Sequence, residues 1–384
     1  MKFIKIRIRN NLLYPLMMII FTLFRKIDSI FMSKYIHFNG SLLLTLIMFL
    51  SEAFVGLIFF IRDLRIISGG NSKFNQKNLI FNQKIKIKTP DSTLKIYILI
   101  FFAAFFDFNV FIIQTFYFPK FKDISKSFDI RVRSILTISN GFFCYYLLRL
   151  EIYKHQKLSL FIIFSSLIII IIIEFLFEKF AKDNVVNFFS TLLLMILNYL
   201  FNSFLDIIEK YLIEFDHVNT FQLLMLEGFF GFIVTSFYSF VENPFKETKI
   251  IYDTQKNAKF ILLIICFIIY FITSGGRNIY RLEINKYYSP MARTLTDSFL
   301  DPLFIIYYFF FENDFSNSDG ERNIFYFIIN LLLSIIIVFC GCVYNELIIL
   351  LFCGLGYETY FQISKRALKS DGILELLSLE GEED

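Results

Sequence analysis

Ten long apolar stretches constrain this chain more than any other feature of its sequence. A helix needs about 20 predominantly apolar residues to cross the hydrocarbon core of a bilayer, and each stretch is close to that length. Lipid offers no hydrogen-bond partner to an open strand edge, and the stretches lack the alternation of barrel strands, so they predict α-helices. The predicted spans are residues 11–32, 41–61, 96–118, 132–148, 158–177, 186–207, 219–241, 260–275, 290–311 and 323–345.

The composition excludes most other classes of protein. Of the 384 residues, 56% are apolar and 19% are charged, whereas globular domains average about 45–50% apolar and about 25% charged residues. A soluble enzyme, a nucleic-acid binder and a secreted disulfide module are therefore excluded. The pair Cys340 and Cys342 lacks a second ligand pair, and the three histidines lie in separate loops. We therefore predict no metal site, no cofactor and no enzymatic activity.

The positions of lysine and arginine predict the orientation in the membrane. With the N-terminus in the cytosol, cytosolic segments hold 22 of these residues and the opposite face holds 12. A cytosolic excess is typical of multi-pass proteins, so we expect both termini in the cytosol. In this assignment residues 62–95 form a polar cytosolic loop, and Arg277 to Lys286 form another. The basic residues at the N-terminus precede a first helix without a cleavage site, which we expect to be retained.

The region after the tenth span is divided into two parts. The apolar run 347–356 is too short to cross the bilayer, so we expect it to continue the last helix along the interface. The following tail is acidic and contains Tyr360-Phe-Gln-Ile363, which has the form of a tyrosine sorting signal. We expect an endomembrane or a lysosome-like membrane rather than the plasma membrane.

Weak similarity between the two halves of the chain predicts an internal repeat. Glu52 and Glu227 lie in spans 2 and 7, and each is followed four residues later by a glycine. Three pairs of residues occur in the same order at equivalent spans: Asp28 with Asp206, Glu52 with Glu227, and Arg133 with Arg293. Because each repeat has five spans, an odd number, the second repeat enters the membrane in the opposite direction.

The predicted fold is therefore an all-α polytopic membrane protein with ten transmembrane helices in an inverted five-plus-five repeat. The first repeat covers residues 1–182 and the second covers residues 183–346. Residues 347–384 form the interfacial segment and the acidic cytosolic tail.

Ionisable residues inside the spans predict a polar pathway. Each such residue costs several kcal/mol in lipid and usually faces the interior of the bundle. An alternative is that these charges neutralise one another, Arg293 with Asp297 and Arg25 with Asp28. The candidate pathway residues are Lys26, Asp28, Glu52, Asp206, Lys210, Glu227, Arg293, Asp297 and Asp301.

Span 9 carries the densest group of charges. Arg293, Asp297 and Asp301 are spaced four residues apart and therefore share one helix face. Pro302 removes a backbone hydrogen bond, which predicts a kink beside this face. We expect Pro290 to open the span, and the preceding span to end at Gly275 and Gly276.

Several strings in the second half resemble a known family. They are Leu205-Asp-Ile-Ile-Glu-Lys-Tyr-Leu-Ile-Glu-Phe-Asp216, Phe221-Gln-Leu-Leu-Met-Leu-Glu-Gly-Phe-Phe-Gly231 and Tyr288-Ser-Pro-Met-Ala-Arg-Thr-Leu295. Together with ten spans, an inverted repeat and cytosolic termini, they resemble the drug/metabolite transporter superfamily, which includes EamA-domain proteins. The strings resemble the F-type members of solute carrier family 35 in particular.

This resemblance implies a secondary carrier that works by alternating access. Its solute would be a small polar or anionic metabolite that binds between the two repeats, and its other partner is the lipid bilayer. A nucleotide-sugar or phosphorylated-metabolite antiporter is an alternative, for which Lys26, Lys210 and Arg293 are the available cations. A membrane scaffold without transport activity is an alternative of another class. The sequence leaves the oligomeric state open, with a homodimer as one option.

Overall fold

The computed structural model shows a helical chain. It describes residues 4–6, 13–38, 40–68, 90–114, 128–177, 185–240, 246–312, 315, 323–350, 355 and 359. Among these residues, seven helices are long and apolar enough to cross a membrane. The chain is therefore an integral membrane protein.

The helices follow one another along the chain. In order they are α1 Leu13–Phe31, α2 Ser41–Ser68, α3 Pro90–Ile112, α4 Phe128–Arg131, α5 Ser134–Tyr146, α6 Lys154–Phe177, α7 Val185–Glu214, α8 Thr220–Ser239, α9 Lys246–Tyr287, α10 Pro290–Ser298, α11 Asp301–Phe311 and α12 Ile324–Tyr344. A short π-helical turn, Met32–Ile36, extends α1.

The burial pattern along α7 is that of a helix with apolar residues outside and polar residues inside. Leu193 is 68% exposed, whereas Asn198, Asp206 and Glu209 are completely buried. A soluble helix would place these residues the other way round. The exposed apolar face fits lipid, and the buried polar face fits a bundle interior.

Spans 1, 4 and 9 of the sequence prediction are not among the seven apolar helices. The first, α1, contains three ionisable residues. The fourth is divided into α4 and α5, and the ninth into α10 and α11. Span 9 is interrupted at Phe299 and Leu300, directly before the turn that contains Pro302, where the sequence predicts a kink. All three segments carry charged residues into the bundle, which lowers their hydropathy.

Helix packing relates the two halves of the chain. When the first five spans are exchanged with the second five, α1 corresponds to α7, α2 to α8, α3 to α9, α4 and α5 to α10 and α11, and α6 to α12. The contact of α1 with α9 then corresponds to that of α7 with α3, and the contact of α2 with α9 to that of α8 with α3. Three pairs of helices are unchanged by this exchange, and the two helices of each pair are in contact: α2 with α8, α5 with α10, and α6 with α12.

Glycines bring α2 and α8 into close contact. A Cβ atom on Gly56 would lie 2.5 Å from the backbone nitrogen of Met225, and one on Gly228 would lie 2.3 Å from that of Ala53. Small residues at such crossings let two backbones approach, which increases the van der Waals contact that holds membrane helices together. This crossing places Glu52 and Glu227 inside the bundle.

The predicted end of span 8 at Gly275 and Gly276 is wrong. The helix α9 continues without a break to Tyr287. A Cβ atom on Gly275 would lie 2.5 Å from Ser51 Oγ, and one on Gly276 would lie 2.7 Å from the ring of Phe21. The two glycines therefore serve close packing against α2 and α1, and the arginines that follow them lie inside the bundle rather than in a loop.

The prediction that the last helix continues beyond the tenth span is also wrong. After α12 the chain turns at Glu346, which has a left-handed φ of 57°, and strand β2 covers Ile348–Leu350. This strand pairs antiparallel with strand β1, Ile4–Ile6. Such pairing satisfies backbone groups of both segments without a helix. The centre of the predicted cytosolic loop, the sorting-type motif and the acidic tail lie outside the described residues.

Candidate functional site

A cavity of about 330 Å³ lies between helices of the two halves of the chain. Its lining comes from α1 to α5 in the first half and from α7, α9 and α10 in the second. A volume near 300 Å³ is at the lower end of the range of small-molecule sites. The polar and charged residues of the lining include Thr22, Arg25, Lys26, Ser29, Thr45, Asp107, Gln114, Asp129, Arg133, Tyr199, Asn202, Arg277, Asn278, Arg281, Arg293 and Asp297.

The cavity lining is positively charged. Six cationic residues line it, and they face three acidic residues. The difference of three positive charges lies in surroundings where water screens little, so the potential in the cavity attracts anions. This excess of positive charge applies to the residues that line the cavity, and further acidic residues lie behind the lining.

Two of the lining cations, both on α1, have no acidic partner among the described residues. The nearest polar contact of Arg25 is from Nη1 to the sulfur of Met48 at 3.9 Å, and its guanidinium lies 5.9 Å from the ring centre of Tyr270. Lys26 lies next to it on the cavity wall. Both side chains are therefore available to a ligand.

Span 9 begins with a well-formed helix start. The Ser289 hydroxyl accepts a hydrogen bond from the backbone N–H of Ala292, and Pro290 is the first helical residue, as predicted. Both features are typical of a helix N-terminus. The helix that starts here carries Arg293 and Asp297, and both residues line the cavity.

Arg293 donates to the carboxylate of Asp206 on α7. Asp206 also accepts a hydrogen bond from Asn140 Nδ2 at 2.9 Å. Asp297 is 3.8 Å from Arg293 and has a closer partner in Arg277 of α9, at 3.1 Å. Asp297 is therefore not the main partner of Arg293, although the sequence suggested this pairing. Each of the two residues has a closer partner on another helix.

The interruption of α10 and α11 is held by a cation from the first half of the chain. Arg133 Nη1 lies 2.6 Å from a carboxylate oxygen of Asp301 and 3.4 Å from the backbone oxygen of Asp297. Arg133 itself precedes α5 at the interruption of span 4. Two broken helices thus meet at the cavity through one ion pair, an arrangement that suits irregular backbone lining a polar site.

A second layer of charges lies behind the cavity around Arg281 of α9. Arg281 Nη2 is 2.5 Å from Glu209 of α7 and 3.5 Å from Glu227 of α8. Glu209 also accepts a hydrogen bond from Asn285 Nδ2 at 2.8 Å. Glu52 of α2 accepts one from Asn278. We call Glu52, Glu209, Glu227 and Arg281 the carboxylate cluster.

The structure distributes the nine predicted pathway residues over three positions. Lys26, Arg293 and Asp297 line the cavity. Asp206, Asp301, Glu52 and Glu227 contact lining residues from behind. Asp28 and Lys210 are outside the lining: Asp28 is buried on α1, and Lys210 Nζ donates to the backbone oxygen of Asn285 at 2.9 Å and pairs with Glu214 at 3.1 Å.

Sequence reasoning missed the contribution of α9. Arg277, Asn278 and Arg281 were assigned to a cytosolic loop because the two preceding glycines look like a helix end. A signal was present in the sequence, since Arg277, Arg281 and Asn285 are spaced four residues apart and so share one helix face. Glu209, between Asp206 and Lys210, was also missed.

Another buried ion pair lies away from the cavity. Arg131, which the sequence prediction placed in a loop, lies 2.5 Å from Glu174 of α6. The Tyr326 hydroxyl donates to the same carboxylate. Arg131 balances the charge of Glu174, and Tyr326 contributes a hydrogen bond from α12. We interpret this group as a structural link between α4, α6 and α12.

The comparisons with known proteins leave the family open. No family model and no curated protein sequence matches the chain. A solved structure described only as "Crystal structure of protein" aligns with 87% of this chain and 97% of its own, at 11% identity and a TM-score of 0.44. The class that the fold and the cavity define is an integral helical membrane protein with a positively charged internal cavity.

Proposed function

We propose that this protein is a secondary carrier that moves a small organic anion across a membrane by alternating access. The observation that carries the proposal is the cavity of about 330 Å³ between the two halves, with six cations and three acids in its lining. Arg25 and Lys26 form no ion pair with a described acid, so an anion bound beside them gains charge-assisted hydrogen bonds. We expect no cofactor and no enzymatic step.

The proposed architecture is ten spans in an inverted five-plus-five repeat. The pairing of helices supports it, because each contact between α1 and α9 or α2 and α9 has a counterpart when the halves are exchanged. The interruptions of spans 4 and 9 also fall on corresponding helices. Inverted repeats of this kind let one half rock against the other around a fixed site.

The proposed orientation keeps both termini in the cytosol. Arg277, Arg281 and Lys210 are buried or line the cavity, and Arg131 is buried, so they no longer count toward loops. Removing them leaves 19 cationic residues on the cytosolic side against 11 on the other, and the bias is retained. Fluorescent or protease-sensitive tags at Met1 and Asp384 should report the same side in sealed vesicles, and opposite sides would contradict the ten-span arrangement.

Uptake into liposomes tests the proposed function. Purified protein is reconstituted, and labelled phosphorylated metabolites, carboxylates, neutral sugars and organic cations are offered to the vesicles. We expect saturable uptake of at least one anion that exchanges with the same unlabelled solute. Uptake restricted to cations would overturn the proposed charge preference. If every solute entered protein-free vesicles as fast as vesicles with the protein, a scaffold would be favoured.

The nucleotide-sugar alternative is less well supported. Of its three candidate cations, Lys26 and Arg293 line the cavity, but Lys210 is occupied by the backbone oxygen of Asn285 and by Glu214. The cavity volume favours a small metabolite over a nucleotide-sugar. A scaffold would gain nothing from a cavity of this size with unbalanced cations, because buried charges without partners reduce stability.

A further inference from the structure

We propose that the carboxylate cluster is a proton-binding site that couples proton movement to transport of the anion. The inference rests on the proposed carrier function and adds the coupling ion. It starts from the geometry of the cluster, which joins Glu52 of α2, Glu209 of α7 and Glu227 of α8 around Arg281 of α9. All four side chains are at least nine-tenths buried.

The cluster carries more acids than cations. The charged groups that face its three glutamates are Asp107 of α3, Asp206 of α7, Arg25 of α1, Arg281 of α9 and Arg293 of α10. With the three glutamates this makes five acids and three cations. Arg293 and Asp206 pair with each other, so four acids share the two remaining cations.

All three glutamates of the cluster have oxygens without a hydrogen-bond partner: Oε2 of Glu52, Oε1 of Glu209 and both oxygens of Glu227. Glu209 Oε1 lies 2.5 Å from Arg281, whereas the Glu227 carboxylate has only a 3.5 Å contact to it. An uncompensated buried carboxylate is costly, and the usual outcome is that it takes up a proton. Among the described residues no group of three acidic, histidine or cysteine side chains is arranged to hold a metal ion. Protons bound to these carboxylates remove the excess negative charge without requiring a ligand cage.

Protons reach the cluster through the cavity. Asp107, Asn278 and Arg281 line the cavity on one side and face the glutamates on the other. A proton from cavity water adds to a carboxylate oxygen and leaves a neutral carboxylic acid. It returns to water when the cavity opens to the opposite side of the membrane.

Arg281 connects the proton site to the anion site. When Glu209 and Glu227 are both ionised, the Arg281 guanidinium is held between them, at 2.5 Å and 3.5 Å. Protonation of one of them weakens this attraction and leaves the positive charge available to an anion in the cavity. Proton and anion therefore favour each other's binding, and by linkage the effect is reciprocal. A carrier in which a bound proton favours binding of the anion is a proton–anion symporter.

Infrared spectroscopy of the reconstituted protein tests the site without any solute. In neutral buffer we expect the absorption band of a protonated carboxylic acid, and Glu227→Gln and Glu52→Gln should each lose part or all of it. If one of the two does not insert, the other decides, and Glu209→Gln provides a third variant. The matched controls are Glu174→Gln, equally buried but balanced by Arg131, and Glu214→Gln, which is half exposed. Both controls should keep the band.

A neutral-buffer spectrum without the band, or one that all three cluster variants leave unchanged, would overturn the proton site. This failure is separate from failure of the carrier function, because exchange of labelled anion in vesicles without a pH gradient requires no proton site. If exchange occurs and the band is present, an inward proton gradient should accelerate net anion uptake in the wild type. It should not accelerate uptake in Glu227→Gln, and an equal acceleration in this variant would contradict the coupling.

Discussion

Replacing Arg293 with methionine tests the ion-pair network most directly. Arg293 is buried and donates to Asp206, which is fully buried and has Asn140 as its other partner. Methionine has a similar length and no charge, so Arg293→Met leaves the carboxylate of Asp206 without its cation. A contact with Asp297 also disappears, but at 3.8 Å it is the weaker one.

The magnitude follows from the burial of the pair. Removing one partner of a buried ion pair typically costs about 3–5 kcal/mol, whereas removing both is nearly neutral when the replacements pack well. We therefore expect Arg293→Met to lower the free energy of unfolding by about 3–5 kcal/mol. The double variant Arg293→Met/Asp206→Asn should recover most of this loss, because the amide keeps the size of the side chain without the charge.

The matched control is Arg293→Met/Asp297→Asn. Asp297 keeps Arg277 as its partner at 3.1 Å, so its neutralisation leaves Arg277 unpaired and should lower stability further. Unfolding in mixed micelles with increasing denaturing detergent measures all variants under the same conditions. Equal rescue by Asp206→Asn and Asp297→Asn would refute the assignment of Asp206 as the main partner of Arg293.

Two smaller changes test the packing and the surface. Gly228→Ala places a methyl group only 2.3 Å from the backbone nitrogen of Ala53 on α2. The variant should lower the free energy of unfolding by about 1–3 kcal/mol. Unchanged thermal stability would contradict the close crossing. Lys34 lies outside the spans, 2.7 Å from Glu312, and the hydrogen bond to Glu312 raises the pKa of Lys34 above its ordinary value. Because the raised pKa favours the charged form, the stabilisation is fully present below the ordinary lysine pKa and is lost as pH rises through the raised value. Lys34→Met should therefore cost a measurable amount of up to about 1 kcal/mol near pH 7, and unchanged stability of this variant at pH 7 would contradict the pairing.

Seven of the ten predicted spans recur among the described residues as helices long and apolar enough to cross a membrane, because lipid allows few alternatives to a helix. The charged segments were harder to predict. The positions of Arg293 and Asp297 on the cavity side of one helix follow from their spacing, but their partners lie on α7 and α9, and the sequence does not encode distances between helices. Asp206 and Arg277 therefore could not be recognised from the sequence as partners of span 9.

The contribution of α9 was missed for a different reason. Gly275 and Gly276 fit both a helix end and a close helix crossing, and only the neighbouring Ser51 and Phe21 decide between them. The pairing of β1 with β2 was also hidden, because it joins residues from opposite ends of the chain. Contacts over such long sequence separations leave no local pattern.

Anion uptake by the double variant Arg25→Gln/Lys26→Gln tests the central claim that the positively charged cavity is the path of the solute. Neither cation forms an ion pair with a described acid, and insertion of the variant is verified by its unfolding in mixed micelles before uptake is compared with the wild type. A hydrogen bond to a charged group contributes about 1.5–3 kcal/mol, and about 1.4 kcal/mol corresponds to a tenfold change in affinity. We predict that uptake of the transported anion at low concentration falls by at least about tenfold, while the exposed control Arg62→Gln retains it. Unchanged anion uptake by the correctly inserted double variant would contradict the account.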